Sequence, residues 1–190
     1  MAMTAGSARS ACRRPVPFAP CGFTLLELVA ALAIVAILAL IAVPTFLTLI
    51  QKQRVVIAAN DLFSAITLTR SEAIRRGERV DLVPLDGASW ASGWIVFVDA
   101  NHNHRRDQGE TIIRQHAAVA GGMAIESAMT DSSMPYIAFT ETGRTRTNTS
   151  SRTPQAGHIA LALGAQQRRI VLNFLRRPRL CNPVADKACG

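Results

Sequence analysis

The stretch that decides the fold reads Gly22-Phe23-Thr24-Leu25-Leu26-Glu27 and continues into sixteen consecutive apolar residues from Leu28 to Val43. Glu27 is the single charged residue between Phe23 and Ile50. A helix over residues 23–43 would be about 32 Å long, which matches a bilayer hydrocarbon core of about 30 Å. The pattern predicts a transmembrane helix over about residues 23–43.

The residues before this run indicate its orientation. Arg9, Arg13 and Arg14 precede it, and no Ala-x-Ala site with a polar exit follows it. We therefore expect the helix to be retained rather than removed as a secretory signal. The positive-inside rule keeps the arginines in the cytoplasm and places the C-terminal part of the chain on the outer side.

Glu27 is costly inside an apolar helix, because an ionised carboxylate at depth costs up to about 3 kcal/mol. A passive anchor has no need of it. One interpretation is a partner on another chain, either an amine or a basic side chain. The other is that the carboxylate reaches the membrane interface or the positive end of the helix dipole.

The composition excludes several classes of protein. The chain has 190 residues, of which 49% are apolar and 18% charged, so it is not intrinsically disordered. It contains no convincing nucleophile, base and acid set, and we expect neither an enzyme nor a cofactor. The net charge is +8 and lies mostly near the C-terminus, where residues 143–190 hold nine Lys or Arg and one acid, Asp186.

Helical periodicity continues beyond Pro44, which should kink the helix rather than end it. Apolar residues recur at three- and four-residue steps on one predicted face: Val55, Ala59, Leu62, Phe63, Ile66, Ala73 and Ile74. Gly77 is a suitable C-cap. The sequence therefore predicts one helix over residues 23–77 whose first half is apolar all round and whose second half is amphipathic.

Beyond Gly77 the pattern changes to short strand-like segments, of which Arg79–Leu85 alternates, separated by Gly, Pro, Ser and Asn. The predicted strands are Arg79–Leu85, Trp94–Asp99, Thr111–Val119, Met123–Ala128, Tyr136–Thr140, His158–Leu163 and Arg168–Phe174, with a mobile loop over residues 141–157. A long helix followed by a run of strands indicates an α+β fold. We expect a lollipop in which the long N-terminal helix packs on a C-terminal antiparallel β-domain of residues 78–190.

The Gly22–Glu27 stretch resembles the processing site of type IV prepilins and type II secretion pseudopilins. The resemblance implies cleavage after Gly22 by a prepilin peptidase, which makes residues 1–22 a leader, and N-methylation of Phe23. It implies that Glu27 sets the register between subunits during assembly. Pro44 lies where pilin helices carry a proline kink.

Two further segments narrow the resemblance. Arg70-Ser71-Glu72-Ala73-Ile74 and Gly93-Trp94-Ile95-Val96-Phe97-Val98-Asp99 are similar to the H-type pseudopilins and FimT-type minor pilins (the GspH/FimT family). This implies a non-enzymatic subunit near the tip of a type II secretion pseudopilus or a type IV pilus. It also implies a single-pass protein of the bacterial inner membrane with a periplasmic β-domain. Its partners would be other pilins or pseudopilins and the inner-membrane assembly platform.

The four cysteines fall in two pairs. Cys12 and Cys21 lie in the predicted leader. Cys181 and Cys189 enclose a short loop near the C-terminus. Because an exported domain meets an oxidising compartment, we expect a disulfide between Cys181 and Cys189.

The segment Asp99–Glu110 places oxygen-bearing side chains at positions one, three, five, nine and twelve, as an EF-hand loop does. His104 replaces the glycine of position six, and a strand rather than a helix leads in. The alternative is a hairpin connection in which Asp and Asn form Asx-turns and Asp107 pairs with an arginine. We favour the hairpin, predict no metal site, and expect His102 and His104 to be solvated.

Arginines cluster near the C-terminus, where Arg176, Arg177 and Arg179 follow the last predicted strand. On an extended segment Arg177 and Arg179 would point to one face about 7 Å apart, close to the spacing of phosphates along a DNA strand. Arg144 and Arg146 could extend the patch. FimT-type minor pilins that capture DNA carry a Gly-Arg-x-Arg motif, which Arg176-Arg177-Pro178-Arg179 partly resembles and Gly143-Arg144-Thr145-Arg146 spells in full. DNA is therefore an alternative partner, and a solvated basic face or acidic filament neighbours are the other interpretations.

Overall fold

The computed structural model describes residue 22 and residues 24–148, 153–173 and 178–189. It contains two compact units, Met1–Val43 and Pro44–Gly190. One helix, α1 (Leu25–Arg76), begins in the first unit and ends in the second. The unit boundary therefore lies at Pro44, whereas the sequence predicts a division between helix and β-domain at Gly77.

Thr24 caps the start of α1. Its hydroxyl accepts a hydrogen bond from the Glu27 N–H at 3.2 Å, and its carbonyl accepts one from the Leu28 N–H at 3.1 Å. A threonine in this position satisfies donors that have no partner within the helix. The helix consequently begins at Leu25, two residues after the predicted start.

In the second unit, one face of α1 is buried. Its buried residues recur at three- and four-residue steps: Val55, Ala58, Ala59, Leu62, Ala65, Ile66, Thr69 and Ala73. The predicted inward face is confirmed for most of its members, but Ile74 is wrong, since its side chain is 51% exposed. Ala73 takes the inward position, and each helical step turns the next side chain away by about a third of a turn.

The end of α1 is confirmed at Gly77. Gly77 has φ +68°, and its N–H donates to the Ala73 carbonyl at 3.0 Å. A glycine adopts this left-handed conformation without a steric penalty.

Within the described residues, eight antiparallel strands follow in two four-stranded sheets. They are β1 (Val80–Pro84), β2 (Trp94–Val98), β3 (Ile112–His116), β4 (Ala124–Met129), β5 (Ile137–Phe139), β6 (Gly157–Leu163), β7 (Gln166–Leu172) and β8 (Arg179–Cys181). The first sheet has the order β3-β2-β1-β5 and the second the order β4-β6-β7-β8. Short 3₁₀ turns occupy Trp90–Ser92 and Lys187–Cys189.

The main core joins α1 to the inward faces of both sheets. Leu62 and Ile66 of the helix contribute to the same buried cluster as Val96 of the first sheet and Ile159 of the second. The long helix packed on antiparallel sheets confirms the predicted α+β fold. A second, smaller cluster covers the opposite face of the first sheet: Val83, Ile95, Phe97, Tyr136 and Ala138.

The stretch predicted as a mobile loop, residues 141–157, has anchored flanks. Thr145 pairs with Phe139 as an isolated bridge, and Thr147 and Gln155 are buried. The Gln155 side chain accepts from the Asp131 N–H at 2.8 Å and donates to the Asp131 carbonyl at 3.1 Å. Residues 149–152 lie outside the described part of the chain.

Candidate assembly helix and basic surface

The N-terminal residues that the sequence singles out lie around the first turn of α1. Gly22 is exposed, and nothing lies within 4 Å of the position where a Cβ would be. Glu27 is exposed in the first turn, and its carboxylate forms no ion pair with any residue that the structure describes. Phe23 lies outside the described residues.

The first part of α1 presents apolar side chains on every side. Leu25 is 81% exposed and Leu40 is 78% exposed, and large apolar side chains between them are exposed as well. Burying one such side chain is worth about 1.5–3 kcal/mol. A surface of this kind requires a cover of lipid or of other apolar helices.

No single helix within the described residues has both the length and the apolar character needed to cross a membrane. The stretches Leu25–Leu40 and Thr45–Arg76 have the required length and composition only when they are taken together as a bent pair. Pro44 lies between them, within α1.

The arginines of the predicted basic patch have different surroundings. Arg144 is exposed, and Arg146 is half-buried and donates to the Thr145 carbonyl at 3.0 Å. Arg179 is exposed on β8, in register with Val171 of β7. Arg176 and Arg177 lie outside the described residues.

A disulfide closes the C-terminal segment. Cys181 and Cys189 are bonded, with their Cα atoms 5.8 Å apart, and both are buried. Arg169 on β7 donates to the Cys189 carbonyl at 3.2 Å. The disulfide and this hydrogen bond together hold the last described residues against the second sheet.

The segment Asp99–Glu110 connects β2 to β3, which confirms the predicted hairpin. Its carboxylates accept hydrogen bonds from nearby donors. Asp99 accepts from the backbone N–H groups of Asn103 and His104 at 3.2 and 3.0 Å. Asp107 accepts from the Asn101 and Asn103 amides at 2.7 and 2.6 Å, rather than from an arginine as predicted. These bonds lower the pKa of Asp107.

The prediction that His104 is solvated is wrong, because its side chain is almost fully buried. His104 Nδ1 lies 2.6 Å from an Asp81 oxygen and 2.9 Å from Arg79 Nη2. Its ring stacks on Tyr136 with centroids 3.7 Å apart. His102 is exposed, as predicted.

Arg79, Asp81, Asp99 and His104 together form a buried charge cluster. Asp81 and Asp99 are fully buried, and Arg79 Nε lies 2.9 Å from Asp81 and 3.8 Å from Asp99. Burial raises the pKa of Asp81, while its bonds to His104 and Arg79 act in the opposite direction. The cluster ties the β2–β3 connection to β1 over the second, smaller core.

Asp81, Asp99 and His104 each place one ligand atom within 4.8 Å of the others, which is the spacing of a metal site. The Arg79 guanidinium already lies within 4 Å of all three groups and supplies the positive charge. The geometry therefore favours an ion-pair network over a metal centre. Sequence reasoning missed Arg79 and Asp81, although two charges two residues apart on an apolar strand were a usable signal, because they share one face.

Comparison with known proteins identifies the family. Residues 58–175 match the family model described as "Type II transport protein GspH", which is more than half of the chain. The chain belongs to the GspH family. Residues 19–43 match the prokaryotic N-terminal methylation motif, which includes Gly22 and Glu27. The resemblance to H-type pseudopilins is thus confirmed.

The relatives of this GspH-family chain are pilin-like. The pilin-like protein PilA1 of Thermus thermophilus is 40% identical over 98 residues, which is 50% of this chain and 58% of that protein. The chain therefore spans less than two thirds of the length of this relative. Two crystal forms of the type IV minor pilin FimU of Pseudomonas aeruginosa are 17% identical, with TM-scores of 0.55 and 0.51. The structural matches cover 70% and 67% of this chain and 91% and 92% of the FimU chains. They show that the fold is shared.

Proposed function

We propose that the chain is a minor pilin or pseudopilin that assembles through α1 into a type IV pilus or a type II secretion pseudopilus. The observation that carries the proposal is the exposed apolar first part of α1, which coincides with the N-terminal methylation motif. Such a helix is stable in lipid and equally stable among other apolar helices. The subunit acts by assembly near the filament tip rather than by catalysis.

The same motif supports a proposal for processing and location. A prepilin peptidase removes residues 1–22, and Phe23 becomes the methylated N-terminus, two residues before α1 (Leu25–Arg76). Before assembly, this helix spans the inner membrane once over about residues 23–43, and residues 78–190 form the periplasmic domain. The inner-membrane assembly platform and other pilins are the partners, and Pro44 lets the helix adjust between lipid and filament.

Glu27 gives the first test. Its exposed carboxylate is available to pair with a positive group of a neighbouring subunit, and such a pair is strong in an apolar surrounding. We expect Glu27→Ala to reduce co-purification with neighbouring pilin-like subunits from cross-linked membranes by about tenfold or more, equivalent to about 1.4 kcal/mol. Glu78→Ala, an exposed acid just after α1, is the matched control. Equal co-purification of the two variants would contradict the role of Glu27.

A second candidate function is capture of DNA by the same subunit, favoured by the exposure of Arg144 and Arg179. Binding through phosphates is independent of sequence and falls steeply with salt, with a log–log slope of about −0.9 for each phosphate contact. In a filter-binding titration of the full chain, we expect Arg144→Ala and Arg179→Ala each to reduce this slope by about one. Arg54→Ala, exposed on α1, is the control. Absence of binding at low salt would exclude this candidate.

A further inference from the structure

A groove of about 490 Å³ runs along the C-terminal part of α1. Its lining includes Phe63, Thr67, Arg70, Ser71, Ile74 and Pro178. The helical members recur at three- and four-residue steps, so they form one continuous stripe beside the buried face. Pro178 precedes β8 and lies against this stripe from the C-terminal segment.

The floor of the groove is apolar. Ile74 is 51% exposed, and Phe63 is only partly buried. The Thr67 hydroxyl donates to the Phe63 carbonyl and the Ser71 hydroxyl to the Leu68 carbonyl, both at 2.9 Å. Because these hydroxyls are satisfied within the helix, the groove presents mainly carbon atoms, and an apolar strip of this kind marks a contact surface.

The rim of the groove is cationic. Glu72 pairs with Arg75 at 2.6 Å and with Arg76 at 2.9 Å, so it leaves the charge of Arg70 uncompensated. Arg70 forms no ion pair with any residue in the described ranges.

The turn at Gly143 packs against two residues of the groove lining, Ile74 and Arg70. Gly143 has φ +70°, and a Cβ there would lie 2.6 Å from Ile74 Cδ1 and 3.2 Å from Arg70 Nε. Arg144, the next residue of that turn, is exposed.

We propose that this groove docks a segment of another protein subunit that presents an apolar side chain flanked by carboxylates. The apolar floor takes the side chain, and Arg70 takes a carboxylate by charge complementarity. The identity of the partner as a neighbouring filament subunit rests on the proposed function. A nucleic acid fits less well, because the exposed apolar side chain of the groove, Ile74, is aliphatic and the aromatic ring in its lining, Phe63, is partly buried in the core.

The test uses the full chain in lipid nanodiscs and a fluorescein-labelled peptide of alternating leucine and glutamate, followed by fluorescence anisotropy. We expect saturable binding that weakens about tenfold in Ile74→Glu and in Arg70→Glu, equivalent to about 1.4 kcal/mol. Ile57→Glu and Arg54→Glu are matched controls, since both residues are exposed on α1 outside the groove. Circular dichroism shows whether each variant keeps its helix content.

Two further probes make the result decisive. A peptide with serine in place of leucine and a single-stranded oligothymidine should both bind more weakly than the leucine–glutamate peptide. Equal binding by wild type and both groove variants would overturn the proposal. Preference for the oligothymidine, with sensitivity to Arg70→Glu but not to Ile74→Glu, would also overturn it in favour of a nucleic-acid surface. Removal of the leader is measured separately by mass, so failure here is distinguishable from failure of the proposed function.

Discussion

At Tyr136, a phenol hydroxyl lies between a carboxylate and a backbone amide. The hydroxyl donates to Asp131 at 2.7 Å and accepts from the Asn148 N–H at 2.9 Å, while its ring stacks on His104. Burial and the hydrogen bond to Asp131 raise the pKa of Tyr136 well above its ordinary value. Tyr136 thus connects His104 of the buried charge cluster to Asp131 and Asn148.

Tyr136 is the single tyrosine of the chain, so its ionisation can be followed directly by ultraviolet absorbance. We expect the folded protein to titrate well above the ordinary value of about 10, and the urea-unfolded protein to titrate near it. Because the folded-state pKa is the higher one, this stability contribution is fully present below pH of about 10. It is lost as the pH rises through the folded-state pKa.

The control for this titration is Asp131→Asn, which removes the charge but keeps the shape of the acceptor. Its tyrosine should titrate at a lower pH than that of the wild-type protein, since the anionic carboxylate helps to hold the phenol proton. A wild-type titration near the ordinary value would show that Tyr136 is not buried in this hydrogen-bonded position.

At the scale of elements, α1 has two different surroundings. Large apolar side chains from Leu25 to Leu49 are exposed where the structure describes them, whereas Leu62 and Ile66 are fully buried in the main core. A leucine therefore contributes differently to the free energy of unfolding, depending on its position along the helix. This division permits a matched comparison of two leucines.

Leu62→Ala should lower the free energy of unfolding by about 2–5 kcal/mol, because it removes a fully buried side chain and leaves a cavity. Leu49→Ala should change it by less than about 0.5 kcal/mol, since Leu49 is half exposed. Denaturant unfolding of both variants, followed by tryptophan fluorescence, measures the difference. Similar losses in the two variants would contradict the packing of α1 on the sheets.

The elements were more predictable than the contacts between them. The periodicity of α1, the alternation around β1 and the short apolar run of β2 are local patterns, so the sequence alone indicates these elements. Ile74 was assigned to the buried face because its spacing fits, but periodicity does not reveal where a helical face meets solvent. His104 was assigned to solvent because its loop is polar, while its partner Asp81 lies 23 residues away and no local pattern shows that contact.

For the whole molecule, the methylation motif and the exposed apolar surface occur in the same N-terminal region. The methylation motif covers residues 19–43, and the same region includes the apolar side chains that the folded chain leaves exposed. The motif and the helix can be predicted from the sequence, because each is formed by consecutive residues. The basic surface can be predicted only in part from the sequence, because Arg144 and Arg179 come from different parts of the chain.

The most direct test of the central proposal is intact mass spectrometry of the protein extracted from membranes of its native host. We expect a chain that begins at Phe23 and carries one N-terminal methyl group. Gly22→Ala should yield the uncleaved chain and serves as the mass reference. Wild-type protein that retains residues 1–22, or begins elsewhere without a methyl group, would contradict the proposal.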